Sequence, residues 1–479
     1  MDLKSRLRAI VQPPARRPAS AKAAAVHRSL GEGGSLDEGG SKPVREPTYE
    51  PDIGGYEAGP TIDRVGEILG GRAARNDFGQ CLIIDRRYES DRWHGDVRIS
   101  ECEIGDVNNL GLLDPGLSGA CGNALGRTVF IDLETTGLSG GAGTVAFLVG
   151  CGFYDLGAFQ VRQFLLTSYS AERALLTAVA DFFDDAELIV SYNGKTFDVP
   201  VMETRWQFHR MEMPLEGVPH FDALHTARRL WKPRGDDQMD GGCRLSTLER
   251  TLFDVRRVGD VPGFEIPSRF FHFMRTGDPR PLEPVLEHNR LDLVSLAAVT
   301  ARAVRLVEEG ADGCSDGPQA LAVGRIYERA GLVDRAVGCY RRASTSDSVE
   351  VKCECLYRLG LRCRRERRFS EAAELWREIV SLTEPRSVRR NTMAAALRQF
   401  AVEALAIHHE HRDVDLETAR ELALFALKED REVGRDSRRA EGYRHRLARL
   451  ERKLEKRDGA RKLDARKIAG KENAQLFWS

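Results

Sequence analysis

Two acidic residues one position apart, Asp132 and Glu134, interrupt the apolar run that begins at Val129. In a β-strand, residues i and i+2 point to the same face, so both carboxylates should lie side by side at the end of a core strand. Two like charges this close repel each other unless a cation lies between them. Hard divalent cations such as Mg²⁺ or Mn²⁺ prefer oxygen ligands, so the pair predicts a metal site. A surface strand with solvated acids is the less favoured alternative, because apolar residues flank the pair closely.

Two further acids from distant segments can join this pair. Asp198 follows a predicted strand in SYNGKTFDVP, and Asp292 lies in EHNRLDLVSL. His288 precedes Asp292 by four residues, which places its imidazole on the same helical face as the carboxylate. Four carboxylates can hold two divalent ions about 4 Å apart, where one ion activates a water and the other stabilises a leaving oxygen. The pattern therefore favours phosphodiester hydrolysis, with His288 able to accept the proton of the water.

The segments around these acids alternate between strand-like and helix-like patterns. Strands are predicted over residues 129–134, 144–154, 158–166 and 187–192, with Gly157 at the turn of an antiparallel hairpin. Helical periodicity covers residues 171–183, 199–209, 223–231, 245–253, 268–276 and 282–308. Three early strands, then alternating helix and strand, then helices, is the element order of a ribonuclease-H-like sheet.

Six segments resemble the YprB-type ribonuclease-H-like proteins, a branch of the DEDD nuclease superfamily. They read DLETTGLSGGAGTVAFLVGCGFY, VSYNGKTFDVPVMETRW, HFDALHTARRLWK, CRLSTLE, EIPSRFFHFMRTGD and LEPVLEHNRLDLVSLAAV. The resemblance covers roughly residues 75–305. It implies an α/β ribonuclease-H-like fold, with a mixed five-stranded sheet flanked by helices, and a metal-dependent exonuclease that uses two Mg²⁺ or Mn²⁺ ions. The metal ligands it implies are Asp132, Glu134, Asp198 and Asp292.

The same resemblance suggests roles for polar residues beside the acids. Thr135, Thr136 and Gly137 would let the backbone approach the terminal nucleotide of the substrate. Asn193 would position the strand end or a phosphate, and Lys195 would neutralise a phosphate. For Asn193 and Lys195 a structural role is an equal alternative, because polar loop residues serve both purposes.

His288 departs from the pattern of the superfamily. DEDD enzymes with a catalytic histidine usually place it five residues before the last aspartate, and those with a tyrosine place it four before. His288 lies four residues before Asp292, in the tyrosine position. The sequence therefore leaves the identity of the proton acceptor open. Two other candidates, His220 and Asp222, are interpreted as core and edge residues rather than as metal ligands.

Composition limits the classes of protein that fit. The length of 479 residues suggests about two to four domains. Because the net charge is −1, any basic footprint for nucleic acid must be local. No apolar run approaches the roughly 20 residues of a membrane span, and the N-terminus lacks the apolar core of a secretory signal. Ten scattered cysteines without a CxxC pair indicate a reduced, cytoplasmic protein.

Five regions are predicted along the chain. They are a disordered arm (1–60), a small N-terminal extension (61–124), the ribonuclease-H-like exonuclease domain (125–312), an all-α domain of tetratricopeptide-like helical repeats (317–430) and a basic C-terminal helix or tail (431–479). The arm is rich in Gly, Ser, Pro and Ala and cannot bury enough apolar surface to fold. The basic C-terminal region favours a solvated capping helix over a contact with nucleic acid.

A recurring spacing of small residues indicates the repeats. Gly324 and Ala336 are twelve residues apart, as are Gly360 and Ala372, and an aromatic residue lies four positions after each alanine. Small residues at such positions let paired helices approach closely. Generic helical hairpins are the alternative interpretation.

Three functions are compatible with this organisation. The leading hypothesis is a two-metal 3′–5′ exonuclease that acts on single-stranded ends of DNA or RNA, with the repeats recruiting a protein partner or guiding the substrate. One alternative is a tetratricopeptide adaptor whose nuclease-like domain is inactive, and the other is a structure-specific endonuclease. All four carboxylates are present, which favours an active nuclease over the adaptor.

Overall fold

The computed structural model of the protein describes residues 61–119, 127–137, 143–231, 242–383, 393–432 and 438–476. The arm predicted for residues 1–60 lies outside these ranges. Residues 138–142 of the glycine-rich turn also lie outside them.

A seven-stranded mixed sheet is the centre of the first half of the molecule. Its strands are β1 (Arg72–Asn76), β2 (Gly79–Tyr88), β5 (Arg127–Thr135), β6 (Ala146–Asp155), β7 (Ala158–Leu165), β8 (Ala186–Ser191) and β9 (His220–Asp222). Two short strands, β3 (Trp93–His94) and β4 (Val97–Arg98), pair separately. The spatial order is β1-β2-β7-β6-β5-β8-β9, with β8 parallel to both β5 and β9 and every other pair antiparallel.

The prediction of a five-stranded sheet accounts for five of these strands, β5 to β9. The other two belong to the segment predicted as a small extension. Strand β2 pairs with β7 over residues 82–88, and Cys81, Leu82, Ile83 and Ile84 are all buried. The ribonuclease-H-like fold class is confirmed, but the extension lengthens the sheet by a hairpin instead of packing on its surface.

Helices flank this sheet on both sides. In chain order they are α1 (Ile62–Leu69), α2 (Asn108–Leu113), α3 (Glu172–Phe183), α4 (Asp198–Phe208), α5 (Ala223–Leu230), α6 (Leu245–Phe253), α7 (Ile266–Thr276) and α8 (Glu283–Glu309). Helix α8 is the longest of them, with 27 residues, and contacts β5, β6 and β7.

Strand β5 separates two hydrophobic clusters. Val129, Ile131 and Leu133 belong to one cluster, and Phe130 belongs to the other, which also contains the apolar residues of α8 from Leu293 onward. Because side chains alternate along a strand, Asp132 and Glu134 continue the face of Phe130. The alternation in the sequence therefore turns both acids toward α8.

The second half of the molecule is entirely helical in its described residues. Its helices are α9 (Gly317–Arg329), α10 (Val333–Ala343), α11 (Val349–Arg365), α12 (Phe369–Leu382), α13 (Met393–His408), α14 (Leu416–Glu432) and α15 (Arg438–Leu476), with a π-helical turn at His409–Asp413. The predicted all-α region is thereby confirmed.

The recurring glycines mark a repeated close contact between helices. A Cβ added to Gly324 would lie 2.6 Å from the Tyr340 ring, and one added to Gly360 would lie 2.5 Å from Trp376 Nε1. The same glycine and aromatic positions thus meet in both helix pairs, which fits helical repeats. The first pair shares its hydrophobic cluster with α8, and Tyr327 donates to the backbone oxygen of Val307 at 2.8 Å.

Helix α15 covers the end of the helical region. Three residues of α15 are buried against apolar side chains of α13 and α14: Tyr443, Leu447 and Leu450. Several of its basic side chains are engaged internally: Arg446, Arg449 and Lys453 all donate to the buried carboxylate of Glu410. In the ranges that the structure describes, no helix is both long and apolar enough to cross a membrane.

Candidate active site

Asp132 and Glu134 lie at the end of β5 and face α8. Both residues are partly exposed, so solvent reaches the pair. Asn289 of α8 donates from Nδ2 to Asp132 Oδ2 at 2.7 Å and to the backbone oxygen of Asp132 at 3.1 Å. The carboxylate of Asp132 is therefore held in place from the helix.

Asp198 approaches the pair from the N-terminus of α4, where it is the first helical residue. It is 6% exposed. Burial raises the pKa of its carboxyl, while the backbone N–H groups of Asp198 and Leu133 act to lower that pKa. The turn before α4 requires a glycine, because a Cβ on Gly194 would lie 2.3 Å from Ser191 Oγ. Since Leu133 lies between the two acids of β5, the effect of its N–H on the pKa of Asp198 indicates that the third carboxylate lies near them.

The four acids form one electrostatic centre. Burial raises the pKa of Asp132 well above its ordinary value, and the charges of Asp292, Glu134 and Asp198 raise it further. Burial likewise raises the pKa of Glu134, and the charges of Asp292 and Asp198 add to the effect. Burial raises the pKa of Asp198 to about 7, although the backbone N–H groups of Asp198 and Leu133 act to lower it. The structure thus brings all four predicted carboxylates within electrostatic range of one another.

Arg257 places a guanidinium among these carboxylates. Its Nη2 donates to Asp292 Oδ1 and to Glu249 Oε1, and its Nε donates to Glu249 Oε2 at 2.9 Å. Glu249 lies on α6 and is 1% exposed. Although burial opposes the charge, Asp292 and Glu249 raise the pKa of Arg257, so its positive charge is permanent.

His288 lies one helical turn before Asp292 on α8. Its Nδ1 is 2.7 Å from Asp260 Oδ1, and its Nε2 is 3.5 Å from Asp292 Oδ2. Burial acts to raise the pKa of Asp260, but the hydrogen bond with His288 and the charge of Arg257 lower it. An ionised Asp260 favours the tautomer with the proton on Nδ1, which leaves Nε2 turned toward the carboxylates.

The donor set suits hard divalent cations, because four carboxylates lie within electrostatic range of one another and such ions prefer oxygen ligands. Over the described ranges, however, no three His, Cys, Asp or Glu side chains meet closely enough to bind one ion in this arrangement. Arg257 occupies one oxygen of Asp292, so ligation through that oxygen requires Arg257 to release it. The residue types suit the predicted divalent ion, and in the present arrangement Arg257 neutralises the carboxylate of Asp292.

The predicted substrate residues after the acids close the β5–β6 hairpin. Thr135 donates from Oγ1 to the Gly137 backbone oxygen at 2.8 Å. Thr136 accepts the backbone N–H of Val145 on its Oγ1 at 3.0 Å and donates its own N–H to the Val145 oxygen at 3.0 Å. Both hydroxyls are therefore used inside the hairpin, and a contact of this turn with substrate stays a prediction.

Asn193 and Lys195 lie on the loop after β8, which Asp222 holds in place. Asp222 accepts the backbone N–H of Asn193 at 2.9 Å and that of Lys195 at 3.2 Å. The Oδ1 of Asn193, a residue with a φ of 70°, accepts the hydroxyl of Thr196 at 2.7 Å. Lys195 Nζ is 2.9 Å from Asp114 Oδ2, in the segment before β5. Both residues have structural contacts here. The charge of Lys195 is already paired with Asp114, so a phosphate would have to share Lys195 with Asp114 or displace Asp114.

His220 and Asp222 are held by core contacts. His220 Nε2 lies 2.7 Å from Ser191 Oγ, and burial lowers the pKa of His220 to about 4, so its ring is neutral at pH 7. Asp222 is buried and its oxygens bind backbone N–H groups. These contacts agree with the core and edge interpretation.

A buried chain of hydrogen bonds supports Asn289 from the sheet. Gln163 of β7 donates from Nε2 to Asn289 Oδ1 at 2.8 Å, and Arg290 donates to Gln163 Oε1 at 3.2 Å. Asn289 fits because β6 has a glycine opposite it: a Cβ on Gly150 would lie 2.1 Å from Asn289 Oδ1. The position of Asp132 thus depends on three strands and α8 together.

Gly150→Ala is expected to displace Asn289 and release Asp132, because the two side chains cannot occupy the same space. Loss of a residue that orients a metal ligand typically lowers activity or metal affinity by about 10–100-fold. Titration of the variant with Mn²⁺ measures the change. Gly338→Ala is the control, since nothing lies within 4 Å of its added Cβ. Unchanged Mn²⁺ affinity in Gly150→Ala would show that Asn289 has no such role.

Sequence reasoning missed four residues of this centre. Asn289 carried a signal, because it lies three residues before Asp292 and hence on the same helical face. Glu249, Arg257 and Asp260 carried none, since no periodic spacing links them to the four acids.

Comparisons with known proteins agree with this architecture. A family model of the RNase_H superfamily, RNase_H_2, matches residues 129–304. The chain is 31% identical over 375 residues to the uncharacterized protein YprB of Bacillus subtilis (strain 168), an alignment that covers 78% of this chain and 86% of that protein. Among solved structures, the family B DNA polymerase of Pyrobaculum calidifontis is 14% identical and covers 43% of this chain and 29% of its own, with a TM-score of 0.29. That last similarity is too low to support any inference.

Proposed function

Because the chain belongs to the YprB-type family of the RNase_H superfamily, we propose that it is a metal-dependent 3′–5′ exonuclease that hydrolyses DNA or RNA. The observation that supports the proposal most directly is the convergence of Asp132, Glu134, Asp198 and Asp292 on one cleft, where each raises the cost of ionising its neighbours. Such a centre is destabilising unless a cation binds there, which gives it a functional rather than a structural explanation.

We assign the four carboxylates as ligands of Mg²⁺ or Mn²⁺. When bound, divalent cations supply the positive charge that activates a water and stabilises the leaving oxygen of a phosphodiester. Asn289 keeps Asp132 oriented through its hydrogen bond to Oδ2. We assign Thr135, Thr136 and Gly137 to the substrate end, and Asn193 and Lys195 to its phosphates.

His288 is proposed as the proton acceptor, positioned by Asp260. The 2.7 Å contact between His288 Nδ1 and Asp260 fixes the ring and leaves Nε2 as the basic nitrogen. Although the spacing of His288 matches the tyrosine position, its Nε2 lies 3.5 Å from Asp292 Oδ2, which supports a role beside the carboxylates.

His288→Gln is expected to lower the cleavage rate by about 100-fold, and Asp260→Asn by about tenfold, because the second change loosens the ring without removing it. Single-turnover cleavage of a labelled strand measures both. Asp254→Asn is the matched control, because Asp254 lies on the same connection as Asp260 and pairs with the exposed Arg256. A wild-type rate in His288→Gln would place the base elsewhere.

Polarity and mode of cleavage are tested with two substrates. A 5′-labelled single strand should shorten in steps from its 3′ end, with the label retained on progressively smaller products. A covalently closed circular strand should stay intact. Cleavage of the circle would instead favour the structure-specific endonuclease.

We further propose that the helical region consists of tetratricopeptide-like repeats that recruit a protein partner or guide the substrate. The repeated glycine–aromatic contacts of Gly324 and Gly360 support the repeat assignment. A cytoplasmic location is part of the same proposal.

A further inference from the structure

Arg257 is held in the carboxylate centre by groups from three directions. Glu249 on α6 binds both its Nε and its Nη2, Asp292 on α8 binds Nη2, and Asp260 lies 3.3 Å from Nη1. The Nη1 also lies 3.5 Å from His288 Nδ1. The guanidinium therefore contacts both the last of the four acids and the two residues that form the proposed proton acceptor.

Glu249 makes this position of Arg257 permanent. Its side chain is 1% exposed and forms a two-point contact with the guanidinium. Separating such a buried pair would leave an uncompensated charge in the protein, which is strongly unfavourable. Arg257 is therefore a fixed part of the site rather than a mobile surface cation. The neighbouring Arg256, by contrast, is 77% exposed and pairs with Asp254.

A fixed positive charge at Asp292 changes what the centre can bind. A divalent ion on the Asp292 side would have to lie within a few ångströms of the guanidinium, and the two cations would repel each other. On the other side, none of Asp132, Glu134 and Asp198 forms an ion pair with a basic side chain in the part of the chain that the structure describes, although the charge of Arg257 also opposes the rise in the pKa of Glu134. The negative charge of Asp132, Glu134 and Asp198 therefore needs a bound cation more than that of Asp292 does.

We infer that Arg257 takes the place of the second cation: the guanidinium neutralises Asp292, and the centre binds a single divalent ion tightly once Asp132, Glu134 and Asp198 close around it. This inference rests on the proposed function and refines its two-ion form. A guanidinium carries the same charge at every metal concentration. The Asp292 side is therefore neutralised before any metal or substrate arrives, and a second ion binds there only weakly.

The number of bound ions tests this directly. The metal-free, full-length protein is titrated with Mn²⁺ alone, and free Mn²⁺ is followed by electron paramagnetic resonance. The wild type is expected to bind one ion tightly. The double variant Glu249→Gln/Arg257→Gln removes both charges of the pair together, and it is expected to bind two ions, with the second at least about tenfold tighter than in the wild type.

Two further variants serve as controls. Arg256→Gln removes an exposed arginine next to Arg257 and is expected to keep the wild-type single site. Glu249→Gln alone keeps the guanidinium beside Asp292 and is expected to gain no second site. If the double variant does not fold, which circular dichroism would reveal, the stoichiometry of the wild type still decides the question.

Two tight and equal Mn²⁺ sites in the wild type would overturn this inference and leave the proposed nuclease function standing. A double variant that folds but gains no second site would also overturn it. If neither protein binds Mn²⁺ at all, both the inference and the proposed function are wrong.

Discussion

Asp132→Asn is expected to lower metal-dependent cleavage by at least about 1,000-fold, because it removes a ligand of an ion that supplies several kcal/mol of transition-state stabilisation. The same change is expected to raise the melting temperature of the metal-free protein by a few degrees. Asp132 is crowded by Asp292, Glu134 and Asp198, and a neutral side chain relieves that repulsion. The Asn289 hydrogen bond to Oδ can be retained by an asparagine.

The opposite signs of these two effects distinguish a functional site from a structural one. A structural carboxylate would lose stability when neutralised, whereas a metal ligand held near other acids gains it in the absence of metal. Cleavage assays and thermal melts in EDTA measure the two quantities. Asp155→Asn, on an exposed position of β6, is the control and should change neither. Loss of stability in metal-free Asp132→Asn would contradict the electrostatic account.

The second large effect is a pH-dependent difference between the wild type and Asp198→Asn in the absence of metal. The pKa of Asp198 is raised by burial from 3.8 to about 7 in the folded protein. A raised pKa means that the protonated carboxyl stabilises the fold at low pH, and that this contribution is lost as pH rises through about 7. The melting temperature of the wild type should therefore fall relative to the variant between pH 4 and pH 8, by about 5 °C in total.

A comparison with the variant is needed because other titrating groups change the stability of the fold with pH in the opposite direction to Asp198. Burial lowers the pKa of both His94 and His220 to about 4, and their contribution is lost as pH falls. Subtracting the two melting curves removes these terms, since both proteins contain them. Saturating Mn²⁺ should abolish or reverse the difference, because metal binding favours the ionised carboxylate. A difference that does not change with pH would show that Asp198 is already ionised in the folded protein.

The parts of the site that could be predicted from the sequence are those with short, regular spacing. Asp132 and Glu134 are two residues apart on a strand, and His288 and Asp292 are four apart on a helix, so local geometry alone places each pair. The same regularity predicted β5 to β8 and most of the helix boundaries within two residues.

The parts that could not be predicted depend on contacts between distant segments. Arg257, which Glu249 binds, meets Asp292 across 35 residues of chain, with no repeat in spacing to suggest it. Lys195 forms an ion pair with Asp114, 81 residues away in the chain, and nothing in the sequence indicates this partner. Strand β1, with the sequence RAARN, lacks the apolar alternation of a strand and forms because β2 pairs with it.

Arg257 shows most clearly why residue types alone were insufficient. The four acids predicted a centre with an excess of negative charge, and two ions were the simplest way to balance it. The structure provides part of that balance from the chain itself, through an arginine that α6 holds in place. Under the inference above, the number of ions depends on this tertiary contact rather than on the motif alone.

The central claim is that the four carboxylates form a metal-dependent nuclease centre, and one assay tests it most directly. The purified wild type and Asp292→Asn are incubated with end-labelled single strands of DNA and of RNA, in Mn²⁺ and in EDTA. The account predicts degradation of at least one strand by the wild type in Mn²⁺, none in EDTA, and none by Asp292→Asn under either condition. Intact DNA and RNA after incubation of the folded wild type with Mn²⁺, or equal cleavage by Asp292→Asn, would contradict it.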